Sequence, residues 1–130
     1  MDRTSALENS VDFTLKTKIS TPRLAETLDF YKTVFGMVVV EEWDAPDDKG
    51  VILALGNGRN EAFLEIYDTA VEHDFSGLSL QFKTDDLNAF IRSLPDGIEN
   101  DGPKLRPWGS TYLYLRDPNK ILVIVYEGGL

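Results

Sequence analysis

Residues 60–66, NEAFLEI, match residues 119–125, NKILVIV, at a constant separation of 59 positions from Asn60 to Asn119. Self-similarity of this kind signals a duplicated unit when the surrounding element order also repeats. Working back from the first copy, Val11, Phe13, Leu15, Thr17 and Ile19 alternate with polar residues, the period-2 pattern of a half-buried strand. Thr21 and Pro22 stop that strand and open a helix, because Pro suits a first turn and Thr can cap orphan N–H groups. Leu24, Leu28, Tyr31 and Val34 follow at helical spacing, flanked by Phe30, and Gly36 closes the helix as a left-handed cap. Val38–Trp43, Gly50–Leu55 and Ala62–Tyr67 read as three more strands, separated by the turn-rich Asp44–Lys49 and Gly56–Asn60. The order of this half is β-α-β-β-β.

The polar stretch Asp68–Ser76 separates it from a second half of the same order. There the sequence predicts a strand over Leu78–Thr84, a helix capped by Asp85 or Asp86 and running through Leu94, and a strand near Gly97–Asn100. Strands Thr111–Leu115 and Ile121–Glu127 follow. The expected fold is α+β: two tandem βαβββ modules, 11–67 and 77–130, forming a curved β-sheet cleft with the helices on its outer face. Together they make one domain over 11–130, preceded by a mobile polar tail at 1–10. Each sheet buries one face under its helix, so function is expected on the other.

Composition narrows the chemistry. The 130 residues carry 13 Lys and Arg against 22 Asp and Glu, a formal charge of −9, with one His and no Cys. Absence of Cys removes disulfides, thiolate metal sites and cysteine nucleophiles. The acidic balance argues against nucleic acid and anionic membrane, which need clustered Lys and Arg, and favours a small molecule, a cationic one in particular. Met1–Asn9 shows neither the basic start nor the apolar run of a secretory signal, and no window approaches the roughly 18 apolar residues of a membrane span. A cytoplasmic protein is expected.

The helix end LDFYKTVFGM at Leu28–Met37, the FLEI strand at Phe63–Ile66, the segment GPKLRPWG at Gly102–Gly109 and the second-copy ending DPNKILVIVYE at Asp117–Glu127 together resemble the vicinal oxygen chelate superfamily. That superfamily comprises glyoxalases, bleomycin-resistance proteins, fosfomycin-modifying enzymes and extradiol dioxygenases. The resemblance covers about Phe13 to Glu127 and is nearest to the bleomycin-resistance branch, although Thr111 stands where that branch commonly carries Arg. It implies paired βαβββ modules, a homodimer and a small-molecule cleft.

In metal-dependent members the resemblance implies four ligands, a His or Glu at each of four strand positions. Carried onto this chain those positions are Lys16, Glu65, Ser79 and Ile124, so one of four is retained. A divalent ion needs three or four N or O ligands, and an ammonium at Lys16 would repel it. No metal and no cofactor are therefore expected. The lone His73 lies in the linker and reads as a solvated residue.

Strand alternation places Thr14, Lys16 and Lys18, then Phe63, Glu65 and Tyr67, on one face of the first module. It places Ser79, Gln81 and Lys83, then Leu122, Ile124 and Tyr126, on the matching face of the second, with Tyr112 and Tyr114 beside them. The ligand-binding candidates are Lys16, Glu65, Tyr67, Ser79, Gln81, Trp108, Tyr112 and Tyr126. Lys16 and Glu65 sit on strands that the family places side by side. They read either as a structural ion pair or as the catalytic candidates, with a desolvated Lys acting as acid or Schiff-base amine. Trp108, held on a turn by Pro107 and Gly109, reads either as a stacking wall of the cleft or as a loop Trp packed under the sheet end. Trp43 could supply a second wall or pack at the strand edge. No phosphate loop, nucleophile elbow or dinucleotide fingerprint is present. Asp85 and Asp86 read as helix caps rather than as a carboxylate pair.

Two functions of different class follow. One is a metal-independent protein that binds or sequesters an organic ligand in the inter-module cleft. The other is a metal-dependent or Lys/Glu-based lyase, isomerase or dioxygenase; a noncatalytic accessory domain is the third possibility.

Overall fold

The computed structural model describes residues 11–59 and 61–130. The expected tail at 1–10 lies outside the described residues. The first module consists of β1 (Leu15–Thr21), α1 (Leu24–Phe35), β2 (Val38–Ala45), β3 (Asp48–Ala54) and β4 (Ala62–Asp68). The second consists of β5 (Ser79–Lys83), α2 (Leu87–Ser93), β6 (Asn100–Leu105), β7 (Thr111–Arg116) and β8 (Leu122–Glu127). Each forms a four-stranded mixed sheet, in the orders β1-β4-β3-β2 and β5-β8-β7-β6. The first strand of each module runs parallel to the last, and the remaining pairs are antiparallel. The fold is thus α+β, a βαβββ unit used twice to build a curved sheet. Among the described residues, no helix is long and apolar enough to cross a membrane.

Register decides which side chains meet the helices. Ile19, Ile66 and Val51 lie abreast in the first sheet, as Phe82, Val125 and Leu113 do in the second. These rows join Phe30, Tyr31 and Val34 of α1 and Leu87 of α2 in one hydrophobic core that spans both modules. Phe35 at the end of α1 stacks on Phe82 with centroids 4.0 Å apart and on Phe90 of α2 at 5.5 Å.

A polar latch joins the modules at the other end of α1. The buried Tyr31 hydroxyl donates to Asp117 Oδ2 at 2.9 Å, Thr21 Oγ1 donates to Asn119 Oδ1, and Asn119 Nδ2 donates to Thr27 Oγ1 at 3.0 Å. Asp117 Oδ1 also accepts the N–H groups of Asn119 and Ile121, so the DPN turn is satisfied internally while gripping α1. Burial, reinforced by the Asp117 carboxylate, pushes the Tyr31 phenol above its ordinary range.

Several expectations are corrected. The first strand starts at Leu15, not Val11, because among the described residues pairing begins where Leu15 meets Ala62; Val11 and Phe13 are exposed. Thr21 does not cap the helix. It ends β1, its Oγ1 accepting the N–H of Arg23, and Arg23 occupies the N-cap without a side-chain capping bond, its guanidinium pairing with Glu72 instead. On α1 the fully buried positions are Thr27, Phe30, Tyr31 and Val34, with Leu24 and Leu28 half-buried at the margin. The region Asp44–Lys49 is mostly strand, since β2 and β3 stay paired as far as Ala45 and Asp48. The sixth strand lies at Asn100–Leu105 rather than Gly97–Asn100, drawn there by pairing with Tyr112 and Tyr114; Pro103 falls in the register break between Asp101 and Lys104, where no ladder N–H is needed.

Other local signals correspond to the structure. Gly36 caps α1 in the left-handed region at φ 65°, and Asp86 caps α2 by accepting the Ala89 N–H at 2.9 Å.

Candidate functional site

Each sheet has a helix-free face, and the pairing lists its occupants. On the first sheet, Lys18, Glu65 and Ile52 form one row, and Ser20, Tyr67, Gly50 and Trp43 form the next. On the second, Gln81, Ile124, Tyr114 and Asp101 occupy the row equivalent to the first. Lys83, Tyr126, Tyr112 and Lys104 occupy the row equivalent to the second.

The first face is a polar network. Glu65 is only 7% exposed, yet its oxygens lie 3.1 Å from Lys16 Nζ and 3.7 Å from Lys18 Nζ. Lys18 Nζ also sits 4.1 Å above the Tyr67 ring. Asp48 accepts the Trp43 indole N–H at 2.8 Å. Hydrogen bonding toward the same carboxylate, with smaller contributions from desolvation and the nearby carboxylates, pushes the Tyr67 phenol upward. Gly50 is required here for space: a Cβ would come within 2.5 Å of the Trp43 ring. The Lys16–Glu65 pair expected from strand adjacency therefore forms, with Lys18 as a second cation. Both lysine side chains remain about half exposed, at 48% and 50%.

The second face is aromatic. Tyr112 lies at its centre, 5.5 Å from both Trp108 and Tyr126 and 6.0 Å from Tyr114. Trp108 is thus not packed under the sheet end; it stands on the turn Arg106–Gly109, edge-on to Tyr112 and largely exposed. Arg106 lies 5.0 Å from the Trp108 ring, and Lys104 lies 5.7 Å from Tyr114 while bonding Asp101 at 2.8 Å. Neither Lys104 nor Arg106 was singled out from sequence, because GPKLRPWG reads as a loop. The signal was its alternation ahead of Trp108, which pairing with β7 turns into a strand.

Ser79 and Gln81 are bonded to each other, Gln81 Nε2 donating to Ser79 Oγ at 3.3 Å. They line a mostly apolar cavity of about 470 Å3 at the seam between modules, with Phe63, Leu15, Met37 and Phe82. That cavity contains neither the Lys16–Glu65 pair nor the tyrosines, so the predicted candidates fall into three groups rather than one enclosed cleft.

The residues at the four metal-ligand positions do not fit a divalent ion. Lys16 is cationic, Ile124 has no ligating side-chain atom, Ser79 is a weak neutral donor, and Glu65 is taken by two lysines. Among the described residues, no three His, Cys, Asp or Glu side chains converge as a metal site. His73 borders a separate hollow with Asp74, Phe75 and Arg116.

Paired βαβββ sheets with open helix-free faces define a class of two-module α+β proteins, and the sequence places the chain within it. Residues 12–125 match the family model of the Glyoxalase/Bleomycin resistance protein/Dioxygenase superfamily, and the chain belongs to that superfamily. The fold is similar to that of TnmS3, an antibiotic binding protein from Streptomyces sp. CB03234, with 20% identity over 92% of this chain and 98% of that one, and a TM-score of 0.75. It is also similar to a lactoylglutathione lyase from Agrobacterium tumefaciens, at 21% identity over 92% and 96% of the chains with a TM-score of 0.66. A bleomycin-binding protein complexed with bleomycin is similar at 21% identity over 92% and 100%, with a TM-score of 0.62. No curated protein matches the sequence.

Proposed function

We propose that this protein binds a planar organic molecule on the aromatic helix-free face of its second module, without a metal, and that it does so as a homodimer. The observation that carries the reading is the cluster of Trp108, Tyr112, Tyr114 and Tyr126. Rings held by a sheet and a tight turn give stacking area at little entropic cost, and a Trp left 58% exposed beside them is the natural lid of such a site. Fold relatives that bind an antibiotic and bleomycin support the same class of role.

The way the modules join supports dimerisation. Within one chain they share their helix-side core, while the helix-free faces stay accessible. A second copy facing them would enclose a ligand between a polar sheet and an aromatic one. Lys16, Glu65 and Tyr67 then belong to one wall, Tyr112, Tyr126 and Trp108 to the other, and Ser79 and Gln81 to the seam.

The test is calorimetric titration of a neutral tricyclic probe, anthracene-2-carboxamide, into the wild type and Trp108→Ala, with sedimentation to read the oligomeric state. Wild-type binding that weakens at least about tenfold in the variant supports the reading. No wild-type binding of this probe or of charged anthracenes of the same shape, or equal affinity in the two proteins, overturns it.

A further inference from the structure

The helix-free faces carry a charge balance unlike that of the whole chain. Lys16, Lys18, Lys83, Lys104 and Arg116 lie on them, and Arg106 lies on the adjoining turn. The carboxylates on the same faces are Glu41, Asp48, Glu65 and Asp101. Cations therefore outnumber acids there, in a chain whose total is −9. Net charge had favoured a cationic ligand; its distribution favours the opposite sign.

The acids are also committed. Glu65 is held by two lysines, Asp101 by Lys104, and Asp48 by Trp43. Glu41 stands on the outer strand of the first sheet, away from the rings. Arg106 is in the reverse position. Among the described residues it makes no ion pair, and its Nε is buried without a hydrogen-bond partner. A buried, unmatched guanidinium donor is costly unless something supplies the missing acceptor. The turn bonds, Arg106 N–H to Ser110 O at 2.7 Å and Gly109 N–H to Arg106 O at 2.9 Å, fix its backbone beside the Trp108 ring.

We propose that the ligand is a planar aromatic acid, its ring system against Trp108, Tyr112 and Tyr126 and its carboxylate on the Arg106 guanidinium. This deepens the binding role proposed above and rests on it. A guanidinium presents its N–H donors in a fixed fork that matches the two oxygens of a carboxylate, and its contact with the indole keeps the fork oriented. Lys104 is the poorer match, because its ammonium is a point donor without the fork and already pairs with Asp101.

The experiment uses three probes of one shape on the full chain: anthracene-2-carboxylate, its carboxamide and 2-(aminomethyl)anthracene, titrated calorimetrically at two salt concentrations. The acid is expected to bind at least about tenfold more tightly than the amide, with the amine weakest and with the preference shrinking in high salt. Arg106→Gln should bring the acid to the level of the amide. Arg106→Lys, which keeps the charge but not the fork, should fall between. Should the glutamine variant fail to fold by circular dichroism, the wild-type ranking and the lysine variant still decide. Amide binding equal to acid, or amine binding tightest, overturns the assignment of ligand charge and leaves the aromatic site standing. If none of the three binds, both the charge and the aromatic site fall.

Discussion

The two sheets are equivalent in backbone and alike on one face only. On the helix side, Leu53 beside Leu64 in the first module corresponds to Leu115 beside Val123 in the second, and all four are buried. On the other side, the position held by Glu65 is Ile124, that of Ile52 is Tyr114, and that of Lys18 is Gln81. The helix side is constrained because its residues form a common core, where any polar group must find a partner. The helix-free side carries no such duty to the chain's own folding. Divergence between the two sheets is thus concentrated on the helix-free side, where one face is charged and the other aromatic.

The largest expected effect tests the likeness. Leu53→Ala and Leu115→Ala each remove a fully buried side chain from matching positions and should each lose about 2–5 kcal/mol in urea unfolding. Because the core spans both modules, each variant should still unfold in one transition. Two separated transitions, one per module, would break the claim of a shared core.

How much of this was legible in the sequence follows the same division. Alternation from Leu15 to Ile19 and the FLEI and ILVIV strands specify faces directly, so element order could be read, whereas the Lys16–Glu65 adjacency followed only from the family resemblance. Strand ends could not, because pairing sets them. Val11 and Phe13 continue the alternation beyond the first pairing at Leu15 and are exposed, and Lys104 joins a strand only because Tyr112 is opposite. The union of the modules was equally hidden. It depends on Tyr31 meeting Asp117 across 86 positions, and nothing local in either segment marks the other as its partner.

That contact supplies the next prediction, smaller than the first. Tyr31→Phe keeps the ring and removes the hydroxyl donated to Asp117, and should cost about 1–2 kcal/mol at neutral pH. The wild type should also have a steeper alkaline limb. An unfolded phenol titrates near about 10, whereas the buried Tyr31 holds its proton to higher pH. Its contribution is complete below the unfolded pKa and declines as pH rises toward the native one, because only the unfolded state releases the proton early. Denaturation midpoints from pH 7 to 11 should therefore converge for the two proteins as pH increases. Parallel curves would show that the latch does not depend on the protonated phenol.

The smallest stability effect is expected on the helix-free side, where the sheets differ most. Lys16 and Ser79 occupy matching edge-strand positions, beside Phe63 and Leu122 respectively. Lys16→Ala leaves Glu65 with Lys18, and Lys16 is itself half exposed, so solvent screens much of the lost attraction. Both Lys16→Ala and Ser79→Ala should stay within about 0.5 kcal/mol of the wild type. Their ligand responses should part company. With the polar sheet of one copy facing the aromatic sheet of another, Lys16→Ala removes a cation from the wall opposite the rings and should weaken anthracene-2-carboxylate by about threefold or more. A Lys16→Ala protein that binds this acid as the wild type does would confine the ligand to the aromatic sheet. The carboxylate would then be held by Arg106 alone, and the charged face would take no part in binding it.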